Sequence, residues 1–256
     1  MLIVGIDSKI GRYLSNYLGT LGYKIYGTTR RKIDSPGLEE LFFLDLSEKT
    51  ISFPKIQFDI AIICAGISNI DFCDDFPLES SKINFDKTIE VIKHLLDSKT
   101  HVIFLSSNAV FDGTKQFYKY FDKVSPITNY GKLKSRVENF SNDGNYCVLR
   151  LTKVLTPNMN FLVQLENNFK LGKELRAFTN LFISPITLNQ VGDALHKLIS
   201  SKAAGIYQIG SEFEMSYYDF AIHYFSNNTN LRNSILPEIY SNDMSNRYNS
   251  LTTYLP

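Results

Sequence analysis

The sequence has 256 residues, enough for one or two domains with a sizeable hydrophobic core. Its 27 lysines and arginines nearly balance 26 aspartates and glutamates, which excludes the strongly positive surface typical of nucleic-acid and anionic-membrane binders. The longest apolar run, residues 60–67, is far shorter than the roughly 20 residues that cross a bilayer, and no signal-peptide pattern begins the chain. We therefore expect a soluble cytoplasmic protein without nucleic-acid or membrane partners.

Apolar runs rich in β-forming residues alternate with helical patterns over residues 1–151. This alternation predicts an α/β fold in which a doubly wound parallel sheet is covered by helices on both faces. Residues 60–64 and 102–105 are apolar at successive positions, as expected for central strands buried on both sides. The predicted strands are 2–5, 23–28, 41–44, 59–65, 101–106 and 146–151.

Three amphipathic helices are predicted from apolar residues spaced three and four positions apart, over residues 10–21, 85–96 and 188–198. Beyond Leu151 the alternation becomes irregular, and the end of the chain is rich in asparagine and serine. This change indicates a small C-terminal lobe. The expected division assigns residues 1–154 and 186–203 to the Rossmann domain, and residues 155–185 and 204–256 to the lobe.

The first predicted strand ends at Gly5, and a short loop with Ser8 and Lys9 leads to Ile10 and Gly11 in the first helix. A glycine lets the chain turn sharply beneath a pyrophosphate, and the amides that begin the helix then face the anion. Ser8 stands where such loops commonly have a glycine, so either its Cβ must be accommodated or its hydroxyl must donate to the phosphate. We expect a dinucleotide site here; an ordinary βα turn is the alternative.

Arg30 and Arg31 follow the second predicted strand. Sites for NAD usually carry a carboxylate there for the ribose 2′-hydroxyl, whereas a 2′-phosphate prefers a guanidinium, which can donate twice to phosphate oxygens. The pattern therefore favours NADP(H) over NAD(H), with a solvated basic loop as the alternative.

Tyr130 and Lys134 are four residues apart in a helical stretch, so their side chains share one face. An ammonium beside a phenol favours the phenolate, and this predicts a lowered tyrosine pKa. Ser107 directly follows the strand predicted over residues 101–106, at the edge of the sheet where open α/β folds bind ligands. The three residues suggest hydride transfer from a nicotinamide, a proton from Tyr130 and a hydrogen bond from Ser107, although either Ser106 or Ser107 can also be only a strand-end cap.

Residues 106–114, together with Tyr130, Lys134 and Glu138, resemble the extended short-chain dehydrogenases/reductases, and most of all the dTDP-4-dehydrorhamnose reductase group. The resemblance continues through most of the chain. It implies NADPH-dependent reduction of a 4-keto-6-deoxy sugar on a nucleotide diphosphate, in nucleotide-sugar and surface polysaccharide biosynthesis. It also implies Ser107, Tyr130 and Lys134 as the catalytic triad, a lobe that binds substrate and, as one option, a homodimer.

The same resemblance implies further binding residues. Lys153 stands where the family often has tryptophan, which suggests a different or a charged sugar. The implied cofactor contacts, besides the loop and the arginines, are Asp45, Leu46, Cys64, Ala65, Gly66, Asn84, Tyr130 and Lys134, and the implied substrate contacts are Asn108, Lys153 and Asn160.

Two other functions stay open at this point. Relatives of this fold include non-catalytic subunits that bind a nucleotide and tune a partner enzyme, and others are NAD-dependent sugar-nucleotide epimerases or dehydratases. The three cysteines lack a paired spacing and the four histidines are scattered, so no metal site is expected.

Overall fold

The computed structural model describes residues 1–31, 40–140, 144–241 and 248–256. The described helices include a π-helix (Lys82–Lys87) and a 3₁₀-helix (Asn108–Val110), and none is long and apolar enough to cross a membrane. The α-helices are α1 (Lys9–Thr20), α2 (Ile70–Asp75), α3 (Pro77–Ser81), α4 (Thr88–Asp97), α5 (Asn129–Glu138), α6 (Asn160–Lys170), α7 (Leu188–Ser200), α8 (Tyr217–Tyr224) and α9 (Thr229–Asn233). The strands are β1 (Leu2–Val4), β2 (Tyr26–Thr29), β3 (Leu41–Phe43), β4 (Ile60–Ile63), β5 (His101–Ser107), β6 (Tyr146–Leu151), β7 (Lys153–Leu155), β8 (Leu175–Phe178), β9 (Phe182–Ile183), β10 (Pro185–Thr187), β11 (Gly205–Ile209), β12 (Met215–Ser216) and β13 (Ile235–Glu238).

Seven parallel strands form one sheet in the order β11-β6-β5-β4-β1-β2-β3. The chain winds outward in one direction through β2 and β3, and in the other through β4, β5, β6 and β11. The strand order therefore reverses between β1 and β4, which opens a crevice at the carboxyl ends of these strands. The prediction of a doubly wound parallel sheet is confirmed.

Successive residues of the central strands pack on opposite faces of the sheet. Ile3 packs with Leu14 of α1 and Leu195 of α7, whereas Val4 joins the cluster that contains Ile92 of α4. Full burial of each such side chain contributes about 1.5–3 kcal/mol, so both helical layers hold the sheet. This two-sided burial explains why the central strands are apolar at every position.

The expected division of the chain is wrong at one strand. It assigns residues 204–256 to the lobe, but Gly205–Ile209 pairs with Tyr146–Leu151 as the edge strand of the main sheet. Ile209 is buried with the apolar residues on one face, and this burial draws the strand into the sheet. Gln208 and Tyr254 then exchange backbone hydrogen bonds, so the end of the chain covers this edge.

A third apolar cluster lies outside the sheet domain. It is built from α6, α8 and α9 together with two small sheets, β8 with β13 and β9 with β12. This cluster is the core of the C-terminal lobe. Its buried residues include Met159, Leu162, Leu165, Leu175, Ile183, Phe220, Phe225, Leu231 and Ile235.

Candidate active site

The turn between β1 and α1 is tightly packed, and two glycines make this packing possible. Gly5 has a φ of 82°, a left-handed conformation that glycine adopts readily, and a Cβ there would lie 2.8 Å from the Ala65 backbone. A Cβ on Gly11 would lie 2.5 Å from the Gly5 carbonyl oxygen. The loops after β1 and β4 therefore touch at the point where the strand order reverses.

Ser8 is the N-cap of α1. Its Oγ accepts a hydrogen bond from the Gly11 N–H at 2.9 Å. Because this bond uses a lone pair of the oxygen, the hydroxyl hydrogen can still be donated to an anion. The side chain that replaces the usual glycine thus both starts the helix and offers a donor.

The first turn of α1 fits a pyrophosphate. The N–H groups of Lys9 and Ile10 have no acceptor among the residues that the structure describes. These donors, together with the positive end of the helix dipole, suit the diphosphate of a dinucleotide. The loop between β1 and α1, predicted from the sequence as a phosphate-binding loop, therefore has a geometry that fits the pyrophosphate of a dinucleotide.

The end of β2 is tied to this loop. The Gly5 N–H donates to Thr28 Oγ1 at 3.0 Å, and the Arg31 N–H donates to Thr29 Oγ1 at 3.0 Å. Arg30 and Arg31 are both exposed. They lie where the fold places the adenosine ribose of a dinucleotide.

Asp45 and Leu46 follow β3, the neighbour of β2. Asp45 Oδ1 accepts a hydrogen bond from the Ser47 N–H at 2.8 Å, so the carboxylate shapes the turn. Leu46 is buried in the core beneath. Their contact with the cofactor stays a prediction.

Asn84, in the π-helix, holds the loop after β4. Its Oδ1 accepts from the Ile67 N–H at 2.7 Å and its Nδ2 donates to the Ile67 carbonyl at 2.8 Å. Gly66 has a φ of 146° and lies directly against this amide. Asn84 therefore positions the loop that contains Ala65 and Gly66. The preceding residue, Cys64, stays a neutral thiol because burial raises its pKa to about 12.

The approach of α5 to the end of β5 depends on Gly131. Thr128 caps the helix by accepting from the Gly131 N–H at 3.1 Å. A Cβ on Gly131 would lie only 2.0 Å from the Ala109 carbonyl oxygen, so no other residue fits without displacing the backbone. This close contact places Tyr130 beside Ser107, and the role of Gly131 was not predicted from the sequence.

The structure brings the three predicted catalytic residues together. The Ser107 hydroxyl lies beside the Tyr130 phenol, where it opposes the rise in the pKa of that tyrosine. Lys134 Nζ donates to the Leu105 carbonyl oxygen at 2.8 Å and lies 5.8 Å from the centroid of the Tyr130 ring. The ammonium also lies 4.4 Å from the centroid of the Phe104 ring, which fixes it against β5.

The predicted lowering of the tyrosine pKa is wrong. Burial raises the pKa of Tyr130 to about 12, against the opposing effect of its hydrogen bond with Ser107. Burial also lowers the pKa of Lys134 to about 8, although Cys64 and Glu138 oppose that shift. For both groups the loss of contact with water outweighs the neighbouring groups that oppose the shift.

A buried ion pair lies behind the site, and the sequence analysis did not predict it. Arg150 donates to both carboxylate oxygens of Glu138, with an Nη2–Oε2 distance of 2.7 Å. Ser106 Oγ donates to Glu138 Oε1 at 2.6 Å, and Arg150 Nη1 donates to the Tyr120 carbonyl at 3.0 Å. Ser106 is therefore part of the structural network. An arginine within an apolar strand was the sequence signal for it.

Asn108 connects the end of β5 to Asn249, near the end of the chain. Its Nδ2 donates to Asn249 Oδ1 at 2.6 Å, and Asn249 Nδ2 donates to the Phe182 carbonyl of the lobe at 2.7 Å. Asn108 Oδ1 lies 3.3 Å from Ser107 Oγ and accepts from it. The expected substrate residue Asn108 is thus held between Ser107 and the lobe.

The segment 111–125 is organised by Asp112. Its carboxylate accepts hydrogen bonds from the hydroxyls of Tyr118, Thr114 and Ser125. Partial burial alone would raise the pKa of Asp112, but these hydrogen bonds hold it well below its ordinary value. In the aromatic stretch 117–121, Tyr118 belongs to the core, whereas Phe121 is exposed.

Lys153 and Lys9 approach each other from β7 and α1. Crowding by protein atoms lowers the pKa of Lys153, and the positive charge of Lys9 lowers it further. Lys9 Nζ donates to the Asn158 carbonyl at 3.1 Å, while Asn160 is exposed at the first turn of α6. Two cations therefore lie between the glycine loop and the start of the lobe.

Comparisons with known proteins point to one family. The profile of the RmlD substrate binding domain matches residues 1–247. The probable low-salt glycan biosynthesis reductase Agl14 of Haloferax volcanii is 22% identical over 230 residues, which cover 85% of this chain and 76% of that protein. Bovine methionine adenosyltransferase 2 subunit beta is 26% identical over 153 residues, 59% of this chain and 46% of the subunit.

A solved structure with the same fold is dTDP-4-dehydrorhamnose reductase from Bacillus anthracis, crystallised in complex with NADP. The two structures superpose with a TM-score of 0.83 over 98% of this chain and 88% of that one, at 20% identity. At this identity the likeness establishes the fold.

Proposed function

The chain belongs to the RmlD substrate binding domain family, among the NAD(P)-dependent extended short-chain dehydrogenases/reductases, and we propose that it reduces the 4-keto group of a 6-deoxy sugar carried on a nucleotide diphosphate. The observation that supports this proposal most strongly is the convergence of Ser107, Tyr130 and Lys134 at the carboxyl end of β5. A glycine loop whose helix offers free amides opens onto the same crevice.

A bound nicotinamide supplies the hydride for the carbonyl carbon. As charge develops on the carbonyl oxygen, Tyr130 gives that oxygen its phenolic proton and Ser107 donates a hydrogen bond to it. With a pKa of about 12, the phenol carries its proton at neutral pH, which suits the reducing direction. Lys134 keeps two further N–H donors for ribose hydroxyls, and its charge favours the phenolate that is left after the transfer.

We propose NADPH as the reductant. Arg30 and Arg31 are exposed at the end of β2, where guanidinium groups can bind a 2′-phosphate. The structural neighbour from Bacillus anthracis was crystallised with NADP, which agrees with this assignment.

Two lysines support an anionic substrate. Lys153 and Lys9 are close enough to lower the pKa of Lys153, and they fit an anionic group such as the diphosphate of the sugar nucleotide or a carboxylate on the sugar. Asn108 and Asn160 are the proposed polar contacts to the sugar and its carrier.

The test is turnover with defined substrates. The purified protein is mixed with NADPH and a panel of dTDP- and UDP-linked 4-keto-6-deoxy sugars, with and without a carboxylate on the sugar. Consumption of NADPH with formation of the matching 4-hydroxy sugar supports the proposal. Absence of turnover with every sugar contradicts it, and tightly co-purified NAD with no net redox change indicates an epimerase or dehydratase instead.

A second candidate function is that of a non-catalytic subunit. The similarity to bovine methionine adenosyltransferase 2 subunit beta favours it. A stable complex with a partner enzyme, combined with nucleotide binding but no NADPH oxidation, would support this function over the first.

The pH dependence of reduction is expected to follow Lys134. The pKa of this lysine is lowered to about 8, while that of Tyr130 is raised to about 12, so the first proton lost as the pH rises is that of the ammonium. We expect kcat/KM for reduction to be level below about pH 8 and to fall above it. In the Lys134→Arg variant the falling limb should move to higher pH, because a guanidinium stays charged. An unmoved limb would assign the ionisation to another group.

A further inference from the structure

Asp7, in the glycine loop, reaches the end of β2. Its Oδ2 accepts a hydrogen bond from Thr29 Oγ1, and the same oxygen lies 3.9 Å from Nε of Arg31. Thr29 Oγ1 in turn accepts from the Arg31 N–H at 3.0 Å. The Asp7 side chain is 33% exposed and that of Arg31 is 70% exposed, so both groups can be reached by a ligand.

The Asp7 carboxylate lies at the end of β2, where dinucleotide-binding folds contact the adenosine ribose. In sites for NAD, an acidic residue near the end of the second strand accepts a hydrogen bond from the 2′-hydroxyl, and in sites for NADP an arginine nearby takes the 2′-phosphate. Here the end of β2 carries Arg30 and Arg31, but the loop after β1 supplies a carboxylate at the same place. The chain therefore combines the acceptor of one class with the cations of the other.

We propose that Asp7 is a specificity-determining residue for the cofactor ribose, an inference that rests on the proposed function. Asp7 accepts the 2′-hydroxyl of NADH, and its charge offsets part of the attraction that the arginines exert on a 2′-phosphate. The protein therefore binds both cofactors, with a preference for NADPH below about tenfold, since one carboxylate near 4 Å changes a partly exposed interaction by about that factor.

The experiment uses two ligands that contain neither nicotinamide nor sugar substrate: adenosine 2′,5′-bisphosphate and adenosine 5′-monophosphate. Their dissociation constants are measured by calorimetry for the wild type, Asp7→Asn and Asp97→Asn. Asp97 is an exposed carboxylate at the end of α4, so its variant makes the same change of net charge away from the site. We expect Asp7→Asn to raise the preference for the bisphosphate by about tenfold, and Asp97→Asn to leave it unchanged.

A preference that stays within about twofold of the wild type in Asp7→Asn would overturn the inference. So would a loss of bisphosphate affinity equal to that of Arg31→Ala, because the carboxylate would then serve only to hold the arginine. If Asp7→Asn does not fold, Asp7→Ser is used, since its hydroxyl can still pair with Thr29. Binding of neither nucleotide by the wild type would contradict the proposed function itself, whereas measurable binding with an unchanged ratio contradicts only the role of Asp7.

Discussion

Replacing Tyr130 with phenylalanine is expected to lower kcat for reduction by about 10²–10⁴-fold, the usual contribution of a positioned general acid. The phenol is the proposed proton donor to the sugar oxygen, since Lys134 Nζ donates to the Leu105 carbonyl and Ser107 Oγ contributes a hydrogen bond rather than a proton. Phenylalanine keeps the ring against the neighbouring side chains and removes only the proton donor. The loss should therefore appear in kcat, with the dissociation constant for NADPH changed by less than about threefold.

A matched control separates loss of the donor from loss of a buried hydroxyl. Tyr146 is a buried tyrosine of β6 whose hydroxyl donates to the Val137 carbonyl at 2.9 Å, away from the cleft. Tyr146→Phe should cost about 1 kcal/mol of stability and leave kcat unchanged. Full activity in Tyr130→Phe would contradict the proposed chemistry, and an equal loss in both variants would show that the effect is structural.

The central sheet could be predicted because successive residues of its inner strands are all apolar. Ile62 and Ile103 lie in runs without a polar position, and only a strand with helices on both faces needs such a run. β11 was misplaced because Gly205 and Gln208 interrupt its apolar pattern, and because its partner β6 lies more than fifty residues earlier in the chain. Pairing between distant strands leaves no local signal.

The three candidate catalytic residues could be named from the sequence, but their electrostatics could not. The four-residue spacing of Tyr130 and Lys134, the place of Ser107 after a central strand and the family resemblance pointed to them together. A four-residue spacing predicts that Tyr130 and Lys134 share a helix face, but it does not predict which protein atoms pack around them. Phe104 beneath the ammonium and the close approach of Gly131 to Ala109 are tertiary contacts. These contacts remove water, and the removal of water determines the direction of both pKa shifts.

The Glu138→Gln substitution should lower the free energy of unfolding by about 3–5 kcal/mol, because it leaves the Arg150 guanidinium buried without a counter-charge. The side chains of Arg150 and Glu138 are only 2% and 1% exposed. For a chain of this size, a loss of this magnitude lowers the melting temperature by about 6–20 °C. The measurement is thermal unfolding followed by circular dichroism, together with urea unfolding at one fixed temperature.

Two variants show whether the pairing itself is responsible. Glu174→Gln removes a carboxylate from the exposed ion pair with Arg176, at 2.9 Å, and should cost no more than about 1 kcal/mol. Glu138→Gln combined with Arg150→Met removes both buried charges, and we expect it to be more stable than Glu138→Gln alone, since an apolar side chain needs no counter-charge. If the double variant is no more stable than Glu138→Gln alone, the stabilisation comes from the bonds to Ser106 and Tyr120 rather than from the pair. The ion pair joins α5, which contains Tyr130, to β6, the strand that pairs with β5 beside Ser107. If Glu138→Gln lowers stability but leaves kcat unchanged, the geometry around Tyr130 and Ser107 does not depend on this ion pair.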